Sequence, residues 1–112
     1  GGLVGMGETL AVASEKDGYT LTDRATWLAL SKARSLALEI VLEKEPLLLN
    51  VYHVIEVTPS KWPKVNAAGA RAFADYLVSP KTQEAIGRFG VEKFGAPLFV
   101  PDAGKDPKAL GL

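Results

Sequence analysis

Apolar positions recur along this chain in two periods, and the change from one to the other marks out its elements. Met6, Leu10 and Ala13 fall at i, i+4 and i+7, Ala11 and Val12 widen the stripe, and Asp17-Gly18 supplies a stop. Residues 6 to 16 are therefore predicted helical. The hydroxyl-bearing stretch 19 to 22 is short and β-prone and predicts a strand. Thr22 or Asp23 can then cap a second helix through Leu30, with Ala25, Leu28 and Ala29 on its apolar side and Trp27 over an edge of the core. Residues 38 to 42, Leu-Glu-Ile-Val-Leu, predict a strand, residues 43 to 46 a turn, and residues 52 to 57 another strand. Two prolines and Trp62 interrupt residues 58 to 65. Asn66 opens a helix striped by Ala70, Phe73, Ala74 and Leu77 that ends near Ser79-Pro80. A further helix is predicted over residues 80 to 89, with proline in its first turn and Gly90 after it, and residues 104 to 112 read as a tail.

The order helix, strand, helix, strand, strand, helix, helix predicts an α/β layered architecture rather than a helical bundle. Composition agrees with one ordinary folded domain, 112 residues with 47% hydrophobic and 23% charged content. Thirteen basic and thirteen acidic residues cancel, so no whole-molecule field favours nucleic acid or anionic lipid, and any anion specificity has to be local. The absence of cysteine excludes disulfide and thiol chemistry. The opening Gly1-Gly2-Leu3-Val4 lacks a basic n-region and a long apolar core, and no later segment approaches the ~20 apolar residues that span a bilayer.

Candidate chemistry concentrates near the start. Gly5-Met6-Gly7 opens the first helix, where glycine permits close approach to the main chain and first-turn N–H groups lack partners inside the helix. That makes a seat for a small anion; the same residues also suit an ordinary flexible helix entry. Thr20 and Thr22 alternate onto one face and could each donate a hydroxyl proton, or serve only as strand and cap residues. Arg24 could meet an oxyanion with its planar fork, or form a salt bridge with Asp23 or Glu8. His53, the sole histidine, has no metal-ligating companions and reads as structural. Glu43, Glu45 and Glu56 show no paired-carboxylate spacing, the serines lack a nucleophile elbow, and the glycine turn lacks the Gly-Lys-Ser/Thr ending of a Walker loop. Catalysis and nucleotide binding are disfavoured; no catalytic residue, metal or cofactor is expected.

Gly5-Met6-Gly7-Glu8-Thr9-Leu10, residues 19 to 26, Asn50-Val51-Tyr52-His53-Val54-Ile55 and residues 94 to 103 follow one another as in a known family. The chain resembles the tungstate-binding component of bacterial ABC importers, over nearly its whole length but only along the later portion of a two-lobed protein about twice as long. The resemblance implies a partial type II periplasmic-binding-protein fold of the α/β class. Residues 1 to 50 would belong to ligand-binding lobe 2, residues 51 to 57 would cross between lobes, and residues 58 to 103 would pack on lobe 1 ahead of the tail. It implies ligand contacts from the Met6 and Gly7 amides with Gly5 permitting approach, from Thr20 ahead of Thr22, and from Arg24 as a secondary contact. The principal arginine of the family lies upstream of anything matched here. Val51 stands where the family usually has Asn-Pro-Tyr. The implied function is oxyanion binding for import, tungstate first and molybdate as the alternative. The implied partners are a membrane permease and the N-terminal portion of the protein, or a homo-oligomer partner covering unpaired strand edges, and the implied location is the periplasm or a membrane-attached extracellular position. A ligand-sensing domain of the same fold in a regulator, and an interaction module without ligand, are the alternatives from other classes.

Overall fold

The computed structural model describes residues 4 to 112, so the reading of Gly1, Gly2 and Leu3 lies outside the described residues. Five α-helices follow one another: α1 (Met6–Glu15), α2 (Arg24–Ala33), α3 (Ala67–Val78), α4 (Pro80–Arg88) and α5 (Val91–Phe94). Short 3-10 turns occupy Pro46–Leu48 and Pro107–Leu110. Helices α2, α3 and α4 start where their cap chemistry directs. Asp23 accepts from the Thr26 amide at 2.7 Å and from the Thr26 hydroxyl at 2.9 Å, and Asn66 accepts from the Gly69 amide at 2.9 Å. Ser79 closes α3 and caps α4, whose first residue is Pro80. The second helix runs to Ala33 rather than Leu30, because Ser31, Lys32 and Ala33 contain no breaker and Lys32 suits the negative end of the helix dipole.

Helix α1 packs on α2, α3 on α4, and α2 reaches α5. Long-range hydrogen bonds tie these pieces. Ser14 accepts from the Ala37 amide at 2.8 Å, and the Lys32 ammonium donates to the Lys93 carbonyl at 3.1 Å near the end of α5. The Gln83 amide donates to the Leu77 carbonyl at 2.9 Å and its carbonyl accepts from Ala103 N–H at 3.0 Å, so one side chain braces α3, α4 and the C-terminal stretch. Helix α5 was not predicted: it is a four-residue turn set between Gly90 and Gly95, both in left-handed backbone. A Cβ on Gly90 would stand 2.6 Å from the Leu98 Cγ, against nothing within 4 Å at Gly95. Gly90→Ala is therefore expected to lower stability by about 2 kcal/mol and Gly95→Ala by about half that, read from thermal melts of the helical circular dichroism signal.

The predicted strands at residues 19 to 22, 38 to 42 and 52 to 57 are not formed among the described residues. A strand exists through pairing, and residues 38 to 42 and 50 to 57 make no backbone hydrogen bond to any other described residue. In residues 104 to 112 Asp106 accepts from the Lys108 amide at 2.9 Å, and Leu110 to Leu112 border a cleft with residues 46 to 53. The core is small. Leu10, Ala13 and Ala74 are its buried apolar residues, whereas Phe73, placed in the α3 stripe by its spacing, is 60% exposed. The radius of gyration, 17.6 Å, exceeds the roughly 13 Å of a compact domain of this length.

Candidate functional site

The opening of α1 is built from backbone. Gly5 is its N-cap, in extended conformation, with no side chain capping the helix and open space where a Cβ would stand. The first internal bond runs from Thr9 N–H to the Gly5 carbonyl at 3.0 Å, and the Thr9 hydroxyl donates to the same oxygen at 3.0 Å. The amides of Met6, Gly7 and Glu8 precede that bond and have no acceptor among the described residues. Their shared dipole end favours negative charge, which the Glu8 carboxylate, in the first turn, already answers in part. Gly7 also has a packing role: a Cβ there would lie 2.9 Å from the Leu30 Cδ1, so its small size lets α1 seat closely on α2.

The second cluster stands at the start of α2. Thr26 neighbours Gly7 and is the residue that Asp23 holds in its cap, which puts the opening of α1 beside the first turns of α2. Sequence spacing gave no sign of this meeting, since the two residues lie in different helices. The Thr22 hydroxyl donates to the Asp23 carbonyl at 3.1 Å and that of Thr20 to the Leu21 carbonyl at 3.4 Å. Thr22 is half-buried and Thr20 exposed. Arg24 pairs with Glu43 at 2.6 Å, not with Asp23 or Glu8. Both partners are substantially exposed, 49% and 40% in their side chains, so the pair contributes no more than about 1 kcal/mol. It joins the α2 start to the long connection before residues 46 to 48.

Elsewhere the chemistry is sparse. His53 is exposed and lines the cleft bordered by Leu110, Gly111 and Leu112, and a second, apolar cleft is lined by Val57, Trp62, Pro63, Lys64 and Val65. Neither cleft includes the candidate anion contacts. No group of three or more His, Asp or Glu residues among those described is placed to hold a metal ion. No helix among the described residues is long and apolar enough to cross a membrane.

A helix opening with free amides, capped by glycine and set against a second helix start, is the kind of site that receives an anion, and the chain matches a family of binding proteins. A family model described as a PBP superfamily domain covers residues 4–81, and the chain belongs to that superfamily. It is 46% identical over 101 residues to the tungstate-binding protein TupA of Peptoclostridium acidaminophilum, a match covering 90% of this chain and 35% of that protein. It is 37% identical over 102 residues to the tungstate-binding protein TupA of Campylobacter jejuni, covering 88% of this chain and 37% of that protein. A Haloferax volcanii protein named for anion binding in an ABC transporter is 41% identical over 102 residues, covering 88% of this chain and 29% of its own length. The chain thus spans about a third of these relatives, not the half that the resemblance implied. No solved structure matches it.

Proposed function

We propose that this chain is part of the solute-binding component of an ABC importer and contributes one side of an oxyanion site, with tungstate as ligand and molybdate as its nearest rival. The amides of Met6 and Gly7 donate to the anion, Gly5 leaves room for it, and the Thr20 and Thr22 hydroxyls add neutral donors. Arg24 is the secondary contact. Residues 1 to 50 belong to ligand-binding lobe 2, residues 51 to 57 cross between lobes, and residues 58 to 103 pack on lobe 1, within an α/β fold of the type II class. The protein works by capture and presentation to a membrane permease, without catalysis, in the periplasm or attached outside the membrane. The observation that carries this reading is the likeness, over about nine-tenths of the chain, to two proteins named for binding tungstate. The free amides at the α1 opening agree with it.

The test is a chimera in which these 112 residues replace the matching stretch of the Peptoclostridium protein. Isothermal titration with tungstate, molybdate, sulfate and phosphate is expected to give a tight isotherm for tungstate and weak ones for sulfate and phosphate. A folded chimera with no oxyanion isotherm overturns the reading. Within the chimera, Thr20→Val deletes one donor to a charged ligand and is expected to weaken tungstate about tenfold, or ~1.5 kcal/mol. Thr22→Val, whose hydroxyl donates to the Asp23 carbonyl at 3.1 Å against the longer 3.4 Å bond from Thr20 to the Leu21 carbonyl, is expected to do less.

A further inference from the structure

Two glycines open α1, and their surroundings differ. Where a Cβ would stand on Gly5 there is open space, whereas one on Gly7 would lie 2.9 Å from the Leu30 Cδ1 and 3.9 Å from the Thr26 Cγ2. Gly7 lies inside the helix Met6–Glu15, so no left-handed turn calls for glycine there. Glycine in a helix costs stability relative to alanine, and that cost needs a compensating contact. The contact is with α2. Thr26 and Leu30 stand at i and i+4 and share a face of that helix. Asp23 fixes the first turn of this face by accepting from the Thr26 amide at 2.7 Å and from its hydroxyl at 2.9 Å. On α1, Gly7 and Leu10 stand at i and i+3, so the face that carries Leu10, 1% exposed, reaches the opening turn.

We propose that Leu30 is a positioning residue for the anion site: its side chain fills the space left by the missing Gly7 side chain, and so sets where the first turn of α1 lies and where the Met6 and Gly7 amides point. This role rests on the oxyanion reading of the α1 opening and deepens it. Leu30 acts through Gly7, not on the anion. The two glycines then have separate tasks. Gly5 faces open space, where small size lets a ligand approach, and Gly7 faces α2, where small size lets the two helices approach. The amides of Met6 and Gly7 have no acceptor of their own among the described residues, so the seating of the helix that carries them fixes their direction. A Cβ at Gly7 leaves two responses, rotation of Leu30 out of the seat or retreat of α1 from α2. Either one changes the support under the donors.

The experiment is a double-mutant cycle in the chimera of these 112 residues with the Peptoclostridium protein, read by isothermal titration with tungstate. Gly7→Ala is expected to weaken binding about fivefold and Leu30→Ala about threefold, the first by crowding the seat and the second by emptying it. In the double variant the added methyl takes space that the leucine vacates. Its affinity is expected within about twofold of the unmodified chimera, against the roughly 15-fold loss of two independent effects. Leu30→Val, a smaller truncation, is expected to rescue Gly7→Ala in part and serves where Leu30→Ala does not fold. Ala74→Gly, at the buried residue of α3, is expected to lower the melting temperature and leave tungstate affinity unchanged, which separates seating from overall stability. Losses that multiply in the double variant overturn the proposal, since they place the Gly7 methyl against the ligand and not against Leu30. So does unchanged affinity in Gly7→Ala, or an equal loss in Ala74→Gly. All of these are read in a chimera that binds tungstate; a folded chimera without any oxyanion isotherm instead fails the oxyanion reading, and the positioning role falls with it.

Discussion

Titration of tungstate into the isolated 112-residue chain is expected to give affinity at least about 1000-fold weaker than titration into the chimera, with no submicromolar isotherm. The reason is a count of donors against charges. The α1 opening offers the amides of Met6, Gly7 and Glu8, and the threonines offer two hydroxyls already donating to neighbouring carbonyls. Around them stand the carboxylates of Glu8 and Asp23, while Arg24, just after the threonines, is paired with Glu43. A dianion held here keeps much of its surface in water, where each hydrogen bond contributes only about 1 kcal/mol net. Enclosing it with three further charge-assisted donors at roughly 1.5 kcal/mol each supplies the difference. A submicromolar constant for the isolated chain would sink this account. Arg24→Ala separates its two roles: if the guanidinium contacts the ligand, the chimera loses affinity in this variant and keeps it in Glu43→Ala.

How much of this was legible in the residues depends on whether the needed partner is local. Caps are local, so Asn66, Ser79 and the choice of Thr22 or Asp23 announced the helices that begin beside them, whereas Gly90 reads only as a stop and gives no sign of α5. The strand stretches were legible as chemistry and not as structure, because Ile40 or Ile55 can specify a preference while only another backbone can supply the ladder. The α3 stripe shows the same limit: Ala74 is buried and Phe73 beside it is not, since a helix face becomes core only where something packs on it. At the candidate site, glycine at positions 5 and 7 signalled a backbone role, but spacing could not reveal that Gly7 sits against Thr26 and Leu30. Nor could it choose Glu43, nineteen residues away, as the partner of Arg24.

Leu10→Ala is expected to cost about 3 kcal/mol and to undo the α1 and α2 pair before any other part of the chain. Leu10 is 1% exposed and is the largest side chain fully sealed from water. Truncating it removes the burial of three carbons and leaves a cavity that α2 can refill only by shifting. That shift is opposed by contacts at both ends of α1: Gly7 already lies against Leu30, and Ser14 holds the Ala37 amide. With Ala13 the other buried residue of this helix, no neighbouring apolar group of comparable size compensates. The measurement is amide exchange within α1, where about 3 kcal/mol corresponds to roughly a 100-fold loss of protection. Val12→Ala is the control, because Val12 is exposed and its loss is expected to change exchange less than about threefold. The same variant bears on the anion site, since the amides of Met6 and Gly7 are fixed in direction only while α1 stays seated. In the chimera, Leu10→Ala is therefore expected to weaken tungstate binding without touching the ligand. Unchanged exchange and unchanged affinity would together show that α1 is held by something other than its buried leucine.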